Sequence, residues 1–165
     1  MIIASEARFN PEYEKLAYKV DGKKKKIRYN QLRSVSSEKF TFRYFSSGKK
    51  HHGYFVKTET SDKTLTFLSY TPSSGSTTGF AAIPRVVLAI FDKSGNLIEE
   101  YSIPRGISEN DIAQRLEIAG KVQKHFSDCP KFISELEAYL KAKPDEKNWR
   151  IAQYFQENTK LNPCE

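Results

Sequence analysis

Apolar and polar residues alternate with period two over residues 39–46. Phe40, Phe42 and Tyr44 fall on one side and Lys39, Thr41, Arg43 and Phe45 on the other. That period belongs to a strand, whose successive side chains point to opposite faces. A Ser-Ser-Gly-Lys-Lys-His-His-Gly stretch follows, and then the apolar run Tyr54-Phe55-Val56. The two runs read as a hairpin with a long basic tip. Upstream, Leu16, Tyr18 and Val20 alternate, Asp21-Gly22 is a turn pair, and Ile27 and Tyr29 alternate after it, which predicts another hairpin. Asn10-Pro11-Glu12 carries the marks of a helix start. Residues 13–18 therefore support two readings, and a hairpin preceded by at most one helical turn is preferred. Residues 1–8 are expected to form an edge strand.

Residues 64–70 are rich in Thr, Leu, Phe and Tyr and make a third strand candidate. Residues 71–79 read as a Ser/Thr/Gly loop. Residues 85–91 are almost continuously apolar, as in a central strand covered on both faces, and pair through Asp92-Lys93-Ser94-Gly95 with residues 96–103. Beyond Gly106 the period changes to that of a helix. Ser108 is the expected N-cap, with Ile107 and Ile112 as a hydrophobic staple, and Ile112, Leu116, Ala119, Val122 and Phe126 form a stripe. A second helix starts near Pro130 and uses Phe132, Ile133, Leu136, Tyr139 and Leu140. A third is expected after Pro144, with Trp149, Ala152 and Phe155 inside and Tyr154 and Arg150 off that face. The fold class is α+β: a mostly antiparallel sheet over about residues 1–103, covered by a group of about three C-terminal helices over 108–158. The chain reads as a single domain with a tail at 159–165.

Composition narrows the classes. The chain has 165 residues, enough for one core without staples. Its longest strongly apolar run, Val86 to Phe91, is far too short to span a bilayer, so no membrane association is expected. Cys129 and Cys164 are the only cysteines. They make neither a disulfide framework nor a zinc spacing, which favours a reducing, cytoplasmic setting, although a single bridge between them is open.

Charge is the most informative feature. The formal net charge is +7. Residues 1–57 hold 14 Lys/Arg against 5 Asp/Glu, and residues 58–165 hold 13 against 15, so the first third carries +9 and the rest −2. A concentrated excess makes a local potential that attracts anions. Its strongest element is Lys23-Lys24-Lys25-Lys26 with Arg28, and a second is Lys49-Lys50-His51-His52, with Lys39 and Arg43 between them. Phosphate backbones need such cations, and bases need aromatics such as Phe45 or Tyr54 to stack on. The preferred reading is a small, non-enzymatic protein that contacts single-stranded DNA or RNA through Lys23, Lys24, Lys25, Lys26, Arg28, Lys39, Arg43, Lys49, Lys50 and His51, with Phe45 or Tyr54 stacking. The alternative is an adaptor or inhibitor that docks the same basic surface on an acidic protein.

Other chemistry finds little footing. No Walker A, dinucleotide-binding, nucleophile-elbow, RRM, GXXG or zinc-finger pattern occurs, and no cofactor is implied. Adjacent His51 and His52 on a strand would point apart, which does not suit a metal site. Surface histidines are the simpler reading, and an enzyme with an unfamiliar site using His51 or His52 is the third functional class. His125, near a helix C-terminus, has a sufficient explanation in the helix dipole.

Overall fold

The structure, a computed structural model, describes residues 4, 6–11, 13–47, 50–70, 85–103, 109–142, 154–155 and 164. Over these the fold is α+β, with antiparallel strands in two sheets followed by two helices. The first sheet contains β1 (Glu6–Asn10), β2 (Lys15–Val20) and β3 (Lys23–Arg28) in the order β1-β2-β3. A 3-10 turn, Tyr29–Gln31, leads into the second sheet. This contains β4 (Ser34–Ser36), β5 (Thr41–Ser47), β6 (Lys50–Glu59), β7 (Lys63–Tyr70), β8 (Arg85–Asp92) and β9 (Leu97–Ser102), ordered as in the chain. Helices α1 (Glu109–His125) and α2 (Pro130–Ala142) follow the second sheet.

Local chemistry accounts for most of these elements. Asp21 and Gly22 both have positive φ, +50° and +75°, as a two-residue hairpin turn matched to the strand twist requires. Asn10-Pro11 does not start a helix. The Asn10 side-chain oxygen accepts the Tyr13 amide at 3.3 Å, and Pro11 O accepts the Glu14 amide, so the segment closes as a turn. The long basic tip expected after β5 is largely strand: pairing runs out to Ser47 opposite Lys50, leaving only 48–49 between the strands. β4 and the 3-10 turn are too short to carry a readable period.

The second sheet is covered unequally on its two faces. One face of β7–β9 carries Leu65, Phe67, Leu88, Ile90 and Tyr101 and packs against Val122, Phe126, Phe132 and Leu136 of the helices. The same face of β5 and β6 carries Phe42 and Phe55, which meet Phe9, Leu16 and Tyr29 from the first sheet and the 3-10 turn. Gly53 permits this approach, since a Cβ there would lie 2.8 Å from the Tyr29 ring and collide with that of Phe42. The other face buries Phe45, Tyr54, Leu68, Ala89 and Phe91 together. β8 is thus apolar on both sides, as its continuous run demands.

Two helical expectations change. Leu116 is 63% exposed, because α1 turns Ile118, Ala119 and Val122 inward, with Phe126 buried just beyond its end. Tyr154, expected off the core, is buried beside Tyr139, with ring centroids 5.1 Å apart. The third predicted helix lies outside the described residues except at Tyr154 and Phe155, which are helical; Trp149, the Ser108 cap and the 71–79 loop also lie outside. Cys129 and Cys164 form a disulfide, which a reducing compartment would open. No helix among the described residues is long and apolar enough to cross a membrane.

Candidate nucleic-acid interface

The register of the first sheet sorts its charges. Directly opposed residues share a face, and alternate residues along a strand share it too. Phe9, Leu16 and Ile27 form one cross-strand row and pack inward. The opposite, outer face consists of three rows: Glu6, Lys19 and Lys24; Arg8, Ala17 and Lys26; Asn10, Lys15 and Arg28. Nine positions therefore hold six cations and one carboxylate. Glu6 accepts from Lys19 Nζ at 3.2 Å. Lys24, Lys26 and Arg28 are exposed along β3, an edge strand. Lys23 and Lys25, also exposed, alternate onto the side of Ile27.

This arrangement works against the stability of the sheet. Lys15 lies directly opposite Arg28, and Lys19 opposite Lys24, and like charges in that relation repel. Charged residues on an edge strand also block unwanted pairing with another chain, which explains β3 and Arg8 on the other edge, β1, but not Lys15 and Lys19 on the central strand β2. A local rule broken without an internal gain is where function is sought.

Beside the third row lies a cleft of about 340 Å³, lined by Tyr13, Glu14, Lys15, Arg28, Tyr29 and Asn30. Its shape comes from the turn before β2. Glu14 sits at φ +48°, and its carbonyl accepts the Tyr29 amide at 2.8 Å. The Arg28 amide donates to the Gln31 side chain and caps the 3-10 turn. Tyr29 is fully buried, and burial pushes its phenol up from the ordinary value. Tyr13, by contrast, is 61% exposed.

The other residues singled out in the sequence are dispersed. Phe45 and Tyr54 offer no stacking surface: both are buried, Phe45 against Phe91 and Tyr54 against Phe45 and Phe91. The expectation that they stack on bases fails, because the face of β5 and β6 that bears them is itself a core face. Arg43 is held by Glu59 through its two terminal guanidinium nitrogens, at 2.5 and 3.2 Å. Lys39 is exposed in the β4–β5 turn, where its amide donates to Ser37 Oγ. Lys50 and His51 stand on β6 opposite Ser47 and Ser46, and Lys49 lies outside the described residues. The structure thus gathers Lys24, Lys26 and Arg28 with Arg8, Lys15 and Lys19, and sets the second basic group on a different sheet.

His125 has a partner beyond the helix dipole. Its Nε2 lies 2.9 Å from Glu99 Oε2, and that oxygen also accepts from the Tyr101 hydroxyl. The contact fastens the end of α1 to β9. Among the described residues no group of His, Cys, Asp and Glu is placed to hold a metal ion. No family model, curated protein or solved structure matches this chain.

Proposed function

We propose that the outer face of the first sheet binds nucleic acid through its phosphate backbone. The observation that supports this reading is the face itself, with six cations and one carboxylate in nine positions. Strands lie about 4.8 Å apart, and alternate residues along a strand about 7 Å apart, so the cations form a lattice on the scale of neighbouring phosphates. A polyanion relieves the repulsion between Lys15 and Arg28 and releases its own condensed counterions, which drives association. Such contacts carry no sequence information, so little sequence preference is expected. The protein acts here as a binding module without chemistry of its own.

The test is a fluorescence-anisotropy titration of a labelled single-stranded oligonucleotide at several salt concentrations. If all six cations contact phosphate, log K falls against log salt with a slope of about −4. Absence of binding at low salt overturns the reading, and the basic face then becomes a candidate dock for an acidic protein.

A further inference from the structure

We infer that the cleft beside the basic face holds a single unpaired base of the bound strand, which makes single-stranded nucleic acid the preferred ligand. This rests on the phosphate-binding reading above. Lys15 and Arg28 belong both to the third row of the face and to the cleft wall. A strand whose phosphates lie on that row therefore passes the cleft mouth. The cleft, at about 340 Å³, falls in the lower part of the roughly 300–1,000 Å³ range of small-molecule sites.

Its lining suits a base. Tyr13 presents an exposed ring at the rim, and base–aromatic stacking tolerates any sequence because every base has a π-face. Asn30 is exposed and offers an amide that both donates and accepts. Tyr29 closes the cleft from the buried side. The backbone supports the same assignment. Glu14 is a non-glycine residue in the left-handed region, a conformation that costs free energy and collects at ligand sites. It is held there by the Tyr29 amide, so the turn carrying Tyr13 is fixed to the cleft it borders. In a duplex the bases are stacked and paired, and extruding one costs a few kcal/mol. An unpaired strand avoids that cost.

The experiment compares three labelled probes of equal length: a mixed-sequence single strand, a fully abasic sugar–phosphate strand, and a duplex. Each is titrated with the wild-type chain and with Tyr13→Ala and Tyr13→Phe at one salt concentration. Wild type is expected to bind the base-bearing strand about 5- to 140-fold tighter than the abasic one, and tighter than the duplex. Tyr13→Ala should remove that advantage while leaving abasic affinity unchanged, and Tyr13→Phe should keep it. Circular dichroism confirms that both variants are folded. Equal, salt-dependent binding of base-bearing and abasic strands overturns the base cleft and leaves the phosphate face standing. Loss of the advantage in Tyr13→Phe as well as Tyr13→Ala overturns stacking as its basis. No binding of any probe overturns both proposals.

Discussion

Phe45 stacks on Phe91, with ring centroids 4.1 Å apart and 15° between the planes. Two strands, β6 and β7, lie between theirs in the sheet order. Neighbouring strands are about 4.8 Å apart, so the rings meet only because the six-stranded sheet curls on that face. Tyr54 Oη approaches Glu100 Oε2 to 3.5 Å across the same concavity, again over two intervening strands.

This stack gives the first prediction. Phe45→Ala should destabilise the protein by about 3–5 kcal/mol, as a large-to-small change in a packed core does. Urea denaturation measures it. Oligonucleotide affinity, corrected for the folded fraction, should stay at the wild-type value, because the ring faces the core rather than a ligand. A small stability change with a large affinity loss would return Phe45 to the binding surface.

Lys57 gives a pH dependence. It is the extra residue of a bulge in β6, between Val56 and Thr58. It is buried, with Nζ 5.0 Å from the Phe67 ring centroid, and burial lowers its pKa from 10.5 to about 8. Below pH 8 the amine is protonated in folded and unfolded chains alike, and the cost of burying the charge is carried in full. Between about 8 and 10.5 the unfolded chain binds more protons, so stability rises with pH. The buried phenols act in the opposite sense. Tyr154 is raised from 10.0 to about 12 and Tyr29 is also raised, so each keeps its proton longer when folded and stability falls above pH 10. The urea midpoint should therefore climb from pH 8 to 10 and then turn over. Lys57→Met should flatten the climb, and an unchanged curve in that variant would contradict the assignment.

The disulfide gives a prediction independent of charge. Cys129 and Cys164 are 35 residues apart, and closing a loop of that length in the unfolded chain accounts for about 4 kcal/mol on an entropic model. Cys129 precedes α2, and its carbonyl accepts the Ile133 amide at 3.1 Å. Cys164 Sγ lies 3.4 Å from Thr58 Oγ1 on β6. Reductant, or Cys164→Ser, should lower the unfolding free energy obtained from denaturant titration by an amount of that order. Equal free energies with and without reductant would show that the bridge contributes nothing.

Much of the fold was legible because its strands are strongly periodic. Phe40, Phe42 and Tyr44 alternate and pack together, and Asp21-Gly22 announces its own turn. The division into two sheets was not legible, since a period of two reports that a residue lies in a strand and not which strand lies beside it. The candidate site shows the same limit. Lys24, Lys26 and Arg28 stood out as a run, whereas Arg8, Lys15 and Lys19 are scattered through two other strands and join them only through the register. The alternation of Arg8 with Phe9, and of Lys15 and Lys19 with Leu16 and Tyr18, was the available signal. Phe45 and Tyr54 misled because a residue opposite an apolar face is expected to be exposed, and here the curl buries it.

On the proposed function, strand register rather than net charge makes the binding face. Lys24→Ser/Lys26→Ser removes two cations from the outer face, and Lys23→Ser/Lys25→Ser removes two from the side of Ile27. The two variants have the same net charge. Measured by anisotropy against a single-stranded oligonucleotide over a salt series, the first should reduce the slope by about 1.4 and the second by less than half as much. Equal reductions, or a larger one in Lys23→Ser/Lys25→Ser, would contradict the account.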